Sequence, residues 1–89
     1  MSKDNRPDDV LIASPLRPAG NGRKCFGVVL RRWNTVTPYV VHTIYHDARL
    51  GWCCEDGEYC REIDVAIERY QRRCRRDGIS DVIKWLDAR

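Results

Sequence analysis

Any chemistry in this chain would have to come from its cysteines and histidines. Cys53, Cys54 and Cys60 lie close together, His42 and His46 precede them, and Cys25 and Cys74 stand apart. Zinc needs about four nitrogen or sulfur ligands converging on a tetrahedron, and cysteine pairs serve it when about two to four residues separate them. Here the gaps are zero and five residues. Neighbours on a strand point to opposite faces, so Cys53 and Cys54 do not easily share an ion, and the thiols read as small hydrophobes. A nucleophilic reading would pair Cys53 or Cys54 with a histidine oriented by Asp47 or Asp56, but nothing in the spacing selects that arrangement. The acidic stretch Glu55-Asp56-Gly57-Glu58 lacks the ligand spacing of a calcium loop. The expectation is therefore a non-enzyme with no metal and no cofactor.

Recognition is better represented. Arg69, Arg72, Arg73 and Arg76 recur at i, i+3, i+4 and i+7, with Arg75 beside them, which predicts one continuous exposed stripe on a helix. Cations near a helix C-terminus are favoured by the macrodipole, and Glu68 and Arg72 form an i,i+4 pair. Arginine without lysine over this stretch suits the bidentate and stacking contacts of interfaces. Aromatic residues are the second hint: Trp33, Tyr39, Tyr45, Trp52 and Trp85 are many for this length, and one helix covers only one face of a sheet. The expected binding residues are Arg69, Arg72, Arg73 and Arg76 on the helix, Trp33 and Tyr39 on the sheet, and Glu55 and Asp56 in the acidic stretch.

The elements that must hold these residues follow from periodicity. Residues 24–33 and 39–46 are rich in β-branched and aromatic residues and read as two strands of a hairpin, joined through Asn34–Pro38. Trp52-Cys53-Cys54 reads as a short third strand, ended by a turn at Glu55-Asp56-Gly57. Ile63, Ala66, Ile67, Tyr70 and Cys74 mark one face of an amphipathic helix, stopped by Asp77-Gly78. Ser80 would cap a last short helix with Val82, Ile83 and Leu86 inward and Trp85 at its margin. Residues 1–23, interrupted by Pro7, Pro15, Pro18, Gly20 and Gly22, read as a flexible arm, although Val10–Ala13 is apolar enough for a short docked strand or turn. The fold class is thus α+β: a three-stranded antiparallel meander covered on one face by one amphipathic helix, plus a short C-terminal helix. The domain is expected over 24–89. The alternation along Tyr39–His46 leaves open which side the helix covers.

Composition sets the limits. With 89 residues the chain buries roughly 60–65% of its unfolded surface, enough for one modest core and little room for a deep, dry pocket. The net charge of +3 is segmented: residues 47–64 carry −4, between basic stretches on either side. The sequence pI of about 8.7 is lower than nucleic-acid domains usually show. No apolar run is long enough to span a membrane and no signal peptide is visible. Five cysteines cannot all pair, so thiols in the cytoplasm are expected.

The stretch Tyr39–Arg72 resembles a pattern of small proteins from phages, plasmids and integrated mobile elements. It comprises the strand Tyr39-Val40-Val41-His42, the step Gly57-Glu58-Tyr59 and the helix Ala66-Ile67-Glu68-Arg69-Tyr70-Gln71-Arg72-Arg73. The resemblance implies strands followed by a helix in a protein with an inhibitory or regulatory role. Anti-CRISPR proteins are one population of such folds, and they typically occupy a surface on a larger host complex. The expected function is therefore non-catalytic protein binding, as an anti-CRISPR-like inhibitor of a host defence complex. The alternative is a small nucleic-acid-binding regulator using the arginine-rich helix.

Overall fold

Two side-chain caps shape the sheet. Asn34 Oδ1 accepts hydrogen bonds from Val36 N at 3.0 Å and Thr37 N at 2.7 Å. Asp47 Oδ1 accepts from Arg49 N at 2.7 Å and Leu50 N at 3.0 Å. Each cap replaces backbone partners that a tight turn cannot supply. They fold the chain into β3 (Arg23–Arg32), β4 (Tyr39–Asp47) and β5 (Gly51–Cys60), all antiparallel. The computed structural model describes residues 9–20, 23–81 and 83. Two further strands, β1 (Val10–Ala13) and β2 (Arg17–Pro18), lie in line along the other edge of β3, and α1 (Ile63–Arg76) crosses the sheet. The order is β1-β3-β4-β5, with β2 also paired to β3.

The α+β class and the covering helix agree with the sequence, while the strand count does not. Within the expected arm, 10–13 and 17–18 are strand: Val10, Ile12 and Ala13 pair with Arg31, Leu30 and Val29, and Val10, Leu11 and Ile12 are buried. Of the prolines that suggested a loose tail, Pro7 lies outside the described residues, Pro18 ends β2, and Pro15 marks the break between β1 and β2. There Ser14 Oγ accepts from Val28 N at 2.9 Å and donates to Pro15 O at 3.0 Å, so a side chain mends the interrupted ladder. Gly27 lies beneath this crossing, and a Cβ there would meet Leu16 Cδ2 at 2.9 Å. Residues 1–8 of the arm lie outside the described residues. So does most of the expected C-terminal helix; its described residues 79–81 and 83 are not helical.

The odd positions of β4 answer the question of faces. Val41 packs with Leu30, Val28, Leu11, Cys60, Ala66, Tyr70 and Cys74 between sheet and helix, with Tyr39 against the same cluster. A smaller cluster of Val10, Val29 and Ile44, edged by Ala13, Leu16 and Trp52, belongs to the opposite face. Among the described residues, no helix is long and apolar enough to cross a membrane.

Candidate docking surface

One irregularity in β5 decides what each face carries. Val41 pairs with Glu58 but Thr43 pairs with Glu55, so Asp56 and Gly57 together oppose His42. This is a β-bulge, and Asp56 supplies its left-handed residue at φ 56°. The Asp-Gly pair predicted as a chain-reversing turn spends the same backbone freedom inside a strand. One extra residue switches the side-chain alternation. Before the bulge Cys53 and Glu55 share the helix face; after it Glu58 and Cys60 do, and Tyr59 is turned to the open face.

On the helix face, Glu58 meets the arginines. Its carboxylate accepts from Arg73 Nη2 at 2.6 Å and Arg69 Nη1 at 3.4 Å, and Arg73 Nη1 also reaches Thr43 Oγ1 at 3.4 Å. Arg73 is 4% exposed. The expectation of one continuous exposed stripe is therefore corrected: Arg73 lies inside the fold, and Arg69 is drawn toward Glu58. Arg72 and Arg76 do face water, yet each has an acid nearby. Arg72 lies 4.0 Å from Glu68, and Arg76 Nε lies 3.0 Å from Asp77 Oδ1. Arg75 pairs likewise with Asp81 at 2.6 Å. Exposed pairs of this kind contribute little, and they leave less positive charge for a partner than the bare sequence suggests.

Tyr39, also expected to bind, packs against the helix-side core instead. Glu55 and Asp56 line a shallow cleft of about 400 Å³ with Pro18, Ala19, Gly20, Phe26, Thr43, Arg76 and Asp77. They are brought together with Arg76 and separated from Trp33.

On the open face the structure assembles a different group around Trp33. Arg31 is held by both oxygens of Asp9, Nε to Oδ1 at 2.9 Å and Nη2 to Oδ2 at 3.0 Å. Its Nη1 donates to Cys54 Sγ at 3.2 Å and lies 3.4 Å from His42 Nδ1. The guanidinium carbon sits 5.6 Å from the Trp33 ring centroid, within cation–π range. Trp33 meets Tyr59 edge-on at 5.7 Å, and His42 closes the triangle at 6.2 Å from Trp33 and 6.3 Å from Tyr59. Such pairs contribute about 0.5–1.5 kcal/mol each beyond the area they bury. Trp33 is 44% exposed and Tyr59 50%, so the rings are pinned by one another while facing water.

Gly57 makes room for this triangle. A Cβ there would come within 2.8 Å of His42 Nε2 and 3.1 Å of Tyr59 Cε1. Gly57→Ala is expected to destabilise the protein by about 1–3 kcal/mol, as overpacking does, and to displace both rings. Denaturant unfolding checks this, and unchanged stability would mean that the rings are not seated as described.

The electrostatics of the group disfavour nucleophilic chemistry. Burial pushes the Cys54 thiol up, with Arg31 only partly offsetting it. Burial, Arg31 and Arg73 push His42 below its ordinary value of 6.5. A thiolate–imidazolium pair needs the opposite shifts. The His42 shift also has a stability consequence. In acid the unfolded chain takes up a proton that the folded one refuses, so this contribution is complete above the ordinary histidine range. It is lost as pH falls through 6.5 toward the folded value. Urea midpoints at pH 7.5 and 5.5 should fall further in the wild type than in His42→Gln; parallel declines would remove His42 as a cause.

Sequence reasoning named Trp33 as a binding residue but did not place Arg31, His42, Gly57 and Tyr59 beside it. The available signal was the Asp-Gly pair, read as a bulge that reverses which face Tyr59 serves. Among the described residues, no three His, Cys, Asp or Glu side chains gather where they could hold a metal ion. Compared with known proteins, the chain matches no family model, no curated protein and no solved structure.

Proposed function

We propose that the chain is a non-catalytic protein-binding module that acts by occupying a partner's surface through the Trp33–His42–Tyr59 patch. The observation that carries this reading is the pair of large aromatic side chains held half in water, at 44% and 50% exposure, in a fixed edge-to-face arrangement. Tryptophan, tyrosine and arginine are the residue types that dominate binding energy at interfaces. Rings already locked by neighbours lose little further freedom on docking. The partner class follows the resemblance of Tyr39–Arg72 to mobile-element inhibitors: a larger host complex, of the kind that anti-CRISPR proteins occupy.

Affinity capture from a host lysate tests this. Trp33→Ala or Tyr59→Ala should abolish recovery of the partner, whereas Arg72→Glu and Arg76→Glu should leave it intact. Recovery that survives the aromatic changes and disappears with the arginine changes would move the interface to the helix. Reversal at Arg69 or Arg73 is not an interface test, because both engage Glu58.

A further inference from the structure

Resting on the docking reading above, we infer that the Trp33–Tyr59 patch takes a proline-rich segment in the polyproline II conformation.

The charge balance of the patch narrows the ligand. Arg31 and Asp9 cancel through a two-pronged pair, and His42, with its affinity for protons lowered, stays neutral near pH 7. An anionic ligand finds little to bind, because each of Arg31's three nitrogens already has a partner in Asp9, Cys54 or His42. A cationic ligand meets a guanidinium already placed against the Trp33 ring. An uncharged, apolar segment is what remains.

Its hydrogen-bonding character is also set. Trp33 offers an indole N–H and Tyr59 a phenolic O–H, and among the described residues neither side chain has a hydrogen-bond partner. Proline has no backbone N–H but keeps its carbonyl. A proline-rich strand therefore presents apolar rings and acceptors to aromatic faces and donors, and leaves no amide of its own unsatisfied against them. Polyproline II is extended and has no internal hydrogen bonds, so little order is lost on binding, and aromatic-lined grooves exploit this. Trp33, just past the end of β3, and Tyr59 on β5 meet edge-on with His42 of β4 against both, which offers such a segment two aromatic surfaces set at an angle.

The test uses the full chain and a fluorescein-labelled proline decapeptide followed by anisotropy, with glutamate and lysine peptides of equal length as the other arms. Saturable binding is expected for the proline peptide alone. Trp33→Ala should weaken it at least tenfold and Tyr59→Phe several-fold, whereas Arg72→Ala should leave it unchanged. Tyr59→Phe keeps the ring and so guards against loss of the fold, which circular dichroism checks for each variant. Preference for either charged peptide, or equal binding of the proline peptide by Trp33→Ala, overturns the assignment. So does self-association that Trp33→Ala abolishes in sedimentation, since the occupant is then a second copy. If the proline peptide fails while the aromatic variants still lose partner capture, only the ligand assignment falls; if neither depends on the rings, the docking reading falls with it.

Discussion

Replacing Glu58 with alanine is expected to destabilise the protein by about 3 kcal/mol, toward the low end of the range for breaking a buried ion pair. The substitution strands the Arg73 guanidinium, 4% exposed, without the carboxylate it contacts at 2.6 Å. Among the described residues, what remains to it is Thr43 Oγ1 at 3.4 Å, and Arg73 Nε already has no hydrogen-bond partner. In a domain of this size such a loss lowers the melting temperature by about 15 °C. The low end is chosen because the Glu58 side chain is itself 36% exposed. Changing Glu58 and Arg73 together to methionine should recover most of the loss, since a buried pair replaced by packed apolar groups is often neutral. Arg72→Ala removes only an exposed partner at 4.0 Å and should change stability by less than about 0.5 kcal/mol. Thermal melts of these variants check the ordering. Equal effects for Glu58→Ala and Arg72→Ala would mean that Arg73 is not inside the fold.

The second large effect concerns the N-terminal strand. Ile12 has no exposed surface, pairs with Leu30 and packs in the helix-side core. Ile12→Ala is expected to cost about 2–5 kcal/mol, because the β-strand cannot collapse into the space left. Were residues 1–23 a loose arm, the same change would fall within about 0.5 kcal/mol of the wild type. Urea unfolding separates the two outcomes without reference to any partner.

The arginine positions show how much could have been read in advance. Helical residues advance by about 100° each. Taking the mean direction of Ile63, Ala66, Ile67, Tyr70 and Cys74 as the core, Arg73 lies about 75° away, Arg69 about 115°, Arg76 about 135° and Arg72 about 175°. Exposure follows that order: Arg73 is buried, the Arg69 side chain is 43% exposed, Arg76 63% and Arg72 69%. The i, i+3, i+4, i+7 spacing grouped the four as neighbours, which they are, but neighbours on a helix span enough arc to straddle the border of the core. Charge alone placed all four in water. The angle placed Arg73 at the border, where a carboxylate across the interface makes burial tolerable.

The sheet was legible in its strands and turns and opaque at its interruptions. Residues 24–33 and 39–46 give β3 and β4 to within one residue at each end. Val10–Ala13 was open to a docked strand but ranked below a loose arm, because four apolar residues between prolines look too short to hold an edge, and the serine that bridges the break acts through a contact 14 residues away. β5 was truncated at Cys54 because Asp56-Gly57 signals positive φ without saying whether the chain then reverses or bulges. That choice depends on whether β4 continues alongside, a long-range fact. The docking patch inherits the same uncertainty, since the bulge decides whether Tyr59 joins Trp33 or the core.

The most direct test of the docking surface is a comparison of amide and indole resonances of isotope-labelled protein with and without its captured partner. Perturbation should concentrate at Arg31–Trp33, His42 and Gly57–Tyr59, and the Trp33 indole proton should move most. Changes gathered instead at Arg69, Arg72 and Arg76, with Trp33 and Tyr59 untouched, would contradict the account and return the interface to the helix.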